Sequence, residues 1–219
     1  MKLFHQFISW AFVPLIMPIY TLLVLYNVET TSRSAVDMKD NLFMMSPTLQ
    51  WVILAIFFIL TFLAPGLSLL LLKRKNKIKS IELDHREERS LPILITGFYS
   101  LLLSFVLFRQ LSPQYFSVIF HAIAVLGFVS TFFAFFITLY TKISIHAMGA
   151  SLATGTLIYC YSLFYISNIW VLIIAILIGG LIMTARYALN KHTIPQLVGG
   201  YVLGLTLSLT TLPIVHFLV

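Results

Sequence analysis

Residues 185–200 read A-R-Y-A-L-N-K-H-T-I-P-Q-L-V-G-G, and the fold of the whole chain turns on how this stretch is read. It places Arg186, Lys191 and His192 between two long apolar segments, in a region where the chain otherwise avoids charge. An ionisable group at the end of a membrane helix is costly unless it is paired or in use, because hydrocarbon offers it no hydrogen-bond partner. These residues therefore mark a helix boundary and a candidate site at once.

The setting for that site is a membrane. Hydrophobic residues make up 60% of the 219 and charged residues 10%, and the mean hydropathy of +0.99 is far outside the range of soluble globular chains. Apolar runs of about 20 residues, each enough to cross a hydrocarbon core of roughly 30 Å as a helix, recur along the whole length. The expected fold class is all-α, a polytopic transmembrane helical bundle of about six to seven spans. The formal charge of +7 sits in short juxtamembrane segments rather than on a soluble amphipathic face. That placement points to membrane lipids as partners and away from nucleic acid. Cys160, the sole cysteine, lies in an apolar run, so neither an internal disulfide nor a cysteine metal pair can form.

Working outward from the quoted stretch, the sequence predicts spans over residues 6–27, 48–72, 92–108, 115–141, 147 to the Ser167-Asn168 turn, 169–189 and 195–219. Residues 28–46 carry Glu29, Arg33, Asp37, Lys39 and Asp40 and read as a solvated connector. The chain thus divides into an N-terminal helix with its connector, residues 1–47, and a helical membrane domain, residues 48–219. Pro65-Gly66 predicts a kink or break in the second span. Ala147, Ser151 and Gly155 on one helix, and Gly200 and Gly204 on another, recur at four-residue spacing and predict close helix approach.

Residues 73–92, K-R-K-N-K-I-K-S-I-E-L-D-H-R-E-E-R-S-L-P, hold seven of the 14 Lys and Arg residues and four of the seven acids. Lys73 to Lys77 follow the positive-inside pattern. The second half mixes both signs, through Glu82, Asp84, Arg86, Glu87, Glu88 and Arg89, ahead of Pro92. This loop, the K-I-S-I-H junction at 142–146 and the quoted stretch follow the second, fourth and sixth spans, so all three fall on one side of the membrane. Lys2, the seven loop cations, Lys142, Arg186 and Lys191 lie on that side or at the N-terminus, against Arg33, Lys39 and Arg109 opposite. The positive-inside rule makes the motif side cytoplasmic, expected in a bacterial inner membrane, with the C-terminus outside for seven spans.

Cations, a Ser-x-His and an arginine followed six residues on by a histidine are groups that hold and attack a phosphate. At these residues the chain resembles the type 2 phosphatidic acid phosphatase superfamily, whose signature is K-x6-R-P, P-S-G-H and S-R-x5-H-x3-D. Arg186 and His192 reproduce R-x5-H, with Ala185 in the place of Ser. Ser144-Ile145-His146 keeps the Ser and His of the second motif. For the first, Lys79 and Arg86 have the K-x6-R spacing but Glu87 follows, whereas Arg89 is followed by Ser90, Leu91 and then Pro92. The resemblance covers roughly residues 75–210 and leaves the first helix and connector outside it.

What the resemblance implies is a membrane phosphatase acting on a lipid phosphate or pyrophosphate, without a metal or other cofactor. His192 would attack phosphorus and carry a phosphohistidine, and His146 would protonate the departing lipid alkoxide. Arg186, Lys79 and Arg86 or Arg89 would neutralise the phosphate oxygens, with Ser144 and the N–H groups opening the fifth helix as further donors. Gln196 stands where the family has Asp. Its carbonyl can orient the imidazole but supplies no charge, and loss of such a charge costs on the order of 10⁴ in rate in serine-protease triads. No Asp or Glu follows Glu88, which leaves Asp84, Glu87 and Glu88 as the carboxylates available to substitute. Two rival readings are a non-catalytic relative that binds anionic lipid or a membrane partner, and a secondary transporter. Against the transporter stand the lack of carboxylates in the last five spans and of a visible inverted repeat. His5, His85, His121 and His216 match no motif and are expected to be structural or solvated.

Overall fold

Within hydrocarbon every backbone N–H and C=O must find its partner inside the protein, so the apolar runs become helices. The computed structural model describes residues 1–32, 41–81, 86–166 and 168–219. Its helices are α1 (Lys2–Ala11), α2 (Met17–Asn27), α3 (Pro47–Phe57), α4 (Ala64–Arg74), α5 (Ser90–Gln110), α6 (Val118–Tyr140), α7 (Ile145–Leu163), α8 (Trp170–Ala188) and α9 (Ile194–Leu218). Two three-residue strands, β1 (Thr30–Ser32) and β2 (Phe164–Ile166), pair antiparallel with Thr30 opposite Ile166. Arg33, Asp37, Lys39 and Asp40 of the connector, Glu82, Asp84 and His85 of the charged loop, and Ser167 lie outside the described residues.

Local chemistry sets the helix ends. Ser117 caps α6 by accepting from the Ile119 N–H at 3.2 Å, and Asn168 Oδ1 accepts from the Trp170 N–H ahead of α8. Lys73 and Arg74 close α4 beside its free carbonyls. Asn76 and Asn190, both at φ 54°, follow α4 and α8 in the left-handed conformation that asparagine tolerates. The expected break at Pro65-Gly66 takes the form of a π-helical turn. Pro65 has no N–H to give the Thr61 carbonyl, and the ladder widens over Phe58–Leu63 just before it. The chain nevertheless continues as one 28-residue helix from Pro47 to Arg74.

Among the described residues five helices are long and apolar enough to cross a membrane: Pro47–Arg74, α5, α6, α8 and α9. α1 and Pro14–Asn27, bent by 40°, make a sixth if they form one span. The fifth expected span, α7, has 19 residues but does not reach the same apolar composition. Its place in the bundle explains why. α9, α8 and α2 pack around it, and Gly149, Ser151, Thr154, Gly155 and Thr156 are buried, so it need not show Leu or Phe to lipid. By length and composition the count among the described residues is five, or six with the bent pair.

The small-residue faces meet as their spacing predicts. A Cβ on Gly200 would lie 2.5 Å from the Ser144 carbonyl oxygen, one on Gly204 2.5 Å from that of Met148, and one on Gly155 2.5 Å from Ser208 Cβ. This register makes α7 and α9 parallel and holds their backbones in contact. It also sets the first residues of α7, with His146, beside the first residues of α9, with Gln196.

Candidate functional site

Arg186 lies in the last turn of α8 and is buried. The left-handed Asn190 reverses the chain there, letting the Lys191 N–H reach back to the Arg186 carbonyl at 3.1 Å. His192 follows, buried, and Thr193 opens α9 through a reciprocal capping box with Gln196. Gln196 Oε1 accepts from the Thr193 N–H at 3.2 Å and faces His192 Nδ1 at 3.2 Å. A backbone N–H can only donate, so the atom facing the imidazole is the amide oxygen and Nδ1 must carry the proton. His192 Nε2 is left with its lone pair free.

The start of α7 supplies the second group. Ser144 is fully buried, and its hydroxyl accepts from the Ala147 N–H at 3.4 Å while its own N–H donates to the Gln196 carbonyl at 3.2 Å. Ser144 thus caps α7 and ties it to α9, and it does not line the cavity, unlike the phosphate donor the sequence suggested. His146 Nε2 donates to the Ser9 carbonyl at 3.2 Å, and Arg186 Nη1 donates to the Ser9 hydroxyl at 2.7 Å. Arg89, buried just before α5, donates from Nη1 to the Ile143 carbonyl at 3.1 Å.

Arg89, His146, Arg186 and His192 line one end of a single cavity of about 530 Å³ whose walls are otherwise mostly apolar. Burial, together with the positive charges of Arg186 and Arg89 and, more weakly, Lys142, holds the His192 pKa down to about 3, against a smaller upward push from its Gln196 hydrogen bond. The imidazole is therefore neutral at physiological pH. Of the first-motif candidates with described side chains, Arg89 is brought here and Lys79 is not. Lys79 is exposed and away from the cavity, with its N–H bound to Glu88 Oε2 at 3.0 Å, because the turn before residue 81 carries it outward. The side chain of Arg86 lies outside the described residues, as does Asp84. Glu87 is exposed, and no described Asp or Glu lines the cavity, so the position beside His192 belongs to Gln196. Among the described residues no three His, Cys, Asp or Glu side chains cluster so as to hold a metal ion.

Ser9 is the residue that sequence reasoning missed. It comes from the segment outside the resemblance, and a serine in a short apolar helix carries no signal of a partner 177 positions away. His121, by contrast, is structural as expected: it is fully buried, with Nε2 2.7 Å from the Leu111 carbonyl and Nδ1 3.2 Å from that of Ser117, tying the end of α5 to the start of α6. No protein-family model, curated protein or solved structure matches the chain, so the reading of this site rests on its own geometry.

Proposed function

We propose that this protein is an integral-membrane phosphatase acting on a lipid phosphate or pyrophosphate, with its site at the cytoplasmic face of a bacterial inner membrane. The observation that carries the reading is the composition of one cavity end: two imidazoles and two guanidiniums with no described carboxylate, at the head of an apolar lumen. Such an end fits an anionic headgroup, and such a lumen fits what the headgroup is attached to.

In this reading His192 Nε2, with Nδ1–H held by Gln196, attacks phosphorus. The bond between phosphorus and the lipid oxygen breaks, and His146, charged to imidazolium once the bound phosphate anion offsets Arg186 and Arg89, gives that oxygen its proton and returns to the neutral imidazole. Water then attacks the phosphohistidine with His146 taking the proton back, which releases phosphate and frees His192. Arg186 and Arg89 neutralise the oxygens on which charge builds. Ser9 takes one donor each from Arg186 and His146, and an entering phosphate replaces its two neutral oxygens with charged ones, which bind a guanidinium more strongly. Gln196 orients His192 without stabilising an imidazolium by a full charge, so turnover is slow.

The test is phosphate release from a lipid phosphate by the purified protein in detergent micelles, with His192→Ala alongside. Release lost in the variant supports His192 as nucleophile. Release that survives the substitution removes it from that role, and no release from wild-type protein favours the rival, a relative that holds anionic lipid without turning it over.

A further inference from the structure

Ser9 meets the cationic end with two different oxygens, and only one of them can leave by a side-chain rotation. The hydroxyl accepts from Arg186 Nη1 at 2.7 Å, but the oxygen facing His146 Nε2 at 3.2 Å is the backbone carbonyl. A carbonyl goes where its helix goes. An anion that takes both donors therefore has to move α1 and cannot merely turn Ser9.

That carbonyl is available because of how α1 ends. The carbonyls of a last helical turn have no partner within the helix. After Ala11 the chain turns extended at Val13, with φ −64° and ψ 142°, and Pro14 has no N–H to offer back. The Ile8 carbonyl takes the Phe12 N–H at 3.1 Å and the Ala11 carbonyl takes the Tyr20 hydroxyl at 3.0 Å. The Ser9 carbonyl takes His146. The partial negative charge at the end of α1 is thus aimed at the guanidiniums and imidazoles of the cavity. α1 closes the cationic end with a neutral substitute for an anion.

The same helix is built to come away. It is bent by 40° from Pro14–Asn27, and the bend falls at the extended Val13. Its packing partner is α8, with Ile8 buried in the cluster that holds Ile182 and Ala185. Elsewhere it already faces outward: Leu3, Phe7 and Trp10, at i, i+4 and i+7, are 81%, 67% and 56% exposed, and Lys2 and Gln6 are exposed on its polar side. A short helix with Leu, Phe and Trp on one side and Lys on the other suits the bilayer interface. Hydrocarbon is as apolar as Ile182, so undocking Ile8 into lipid forfeits close packing and little else.

We propose that α1 is a plug: docked on α8 it closes the cationic end with Ser9, and it swings about Val13-Pro14 along the bilayer surface to admit an anion. The proposal rests on the phosphate reading of that end for the anion, and it needs no hydrolysis. Arg186 and His146 then bind their ligand in competition with the chain's own first helix. Weakening the docking of α1 strengthens binding, the reverse of what a supporting helix would give.

The experiment titrates inorganic phosphate onto the full chain in phosphatidylcholine nanodiscs by calorimetry. Ile8→Ala, which thins the docked contact at a residue outside the cavity lining, binds phosphate roughly tenfold more tightly than wild type, and Ile8→Val shows a smaller rise. Leu107→Ala, in the core around α5, leaves the affinity unchanged. An affinity that Ile8→Ala leaves unchanged or weakens overturns the plug and spares the anion site, as does an equal rise in Leu107→Ala. Phosphate bound by none of these proteins overturns both. In parallel, nitroxides on Gln6→Cys and Leu101→Cys, both exposed positions, in a Cys160→Ala background give one distance without ligand and gain a second with saturating phosphate. A single unchanged distance with phosphate bound also overturns the plug. The expected binding pattern without release of phosphate from lipid overturns only the enzymatic reading.

Discussion

Neighbouring glycines in α9 give a test of the packing that holds the site together. Gly199 is exposed and a Cβ there meets nothing within 4 Å, whereas Gly200 is buried with the Ser144 carbonyl oxygen 2.5 Å from its would-be Cβ. Replacing either by Ala gains about 1 kcal/mol of helix propensity, and this gain cancels in the comparison. What remains at Gly200 is overpacking against backbone, which must open from 2.5 Å to the 3.4 Å where ordinary contact begins, at a cost of about 1–3 kcal/mol. A difference near 2 kcal/mol separates the two unfolding midpoints by roughly 4–8 °C for a chain of this size. Cys160, the sole cysteine, is buried in α7 within the core cluster formed with α2, α3, α5 and α6, so the reaction of a thiol-sensitive dye on heating in detergent reports the loss of the packing around α7. Gly200→Ala is expected to expose Cys160 at the lower temperature, with Gly199→Ala at or above wild type. Equal midpoints would mean that α7 and α9 are not in backbone contact. The same variant pushes Ser144 away from Gln196, so Gly200→Ala protein that remains folded is also expected to bind phosphate more weakly.

Three further outcomes follow from the site. Gln196→Glu keeps the side chain's reach to His192 Nδ1 and adds the missing charge, so kcat is expected to rise, by up to about 10⁴-fold; a fall or no change in lipid phosphate turnover counts against Gln196 as the limiting group. The His192 pKa of about 3 in the folded protein lies below its ordinary 6.5, so its contribution to stability is complete above pH 6.5 and drains away as pH falls toward 3. The slope is at most about 1.4 kcal/mol per pH unit, and unfolding midpoints of His192→Asn protein should depend less steeply on pH over that window than those of wild type. Ser9→Ala removes the hydroxyl that accepts from buried Arg186. Stability is expected to drop by about 1–3 kcal/mol, and added inorganic phosphate should recover part of it; a drop that phosphate leaves untouched would separate Arg186 from phosphate binding.

Much of the site was legible because it is local. Arg186, His192 and Gln196 fall within eleven residues at a helix end, and the i, i+4 spacing of the last two becomes a hydrogen bond once Thr193 starts α9. That Arg89 reaches the cavity was not legible from motif spacing, since it depends on the arginine adjoining the first turn of α5. Lys79 misled for the same reason: a six-residue interval has a fixed geometry in a helix but none in a turn. α7 falls short of the other spans in apolar composition because its small, hydroxyl-rich surface reflects neighbours that only the fold reveals. Ser9 had no local signal at all.

The Ser9 contact bears on how the protein comes to exist. Ser9 and Arg186 are separated by 177 positions, so at about 5–20 residues per second the ribosome makes the arginine roughly 10–35 s after the serine. Throughout that interval α1 waits without α8, the helix it packs beside, and a chain that stalls before α8 carries neither Arg186 nor His192. Both ends of the polypeptide are needed to close the cationic end, which makes its appearance a late event in biogenesis and a direct report that the last helices have been delivered.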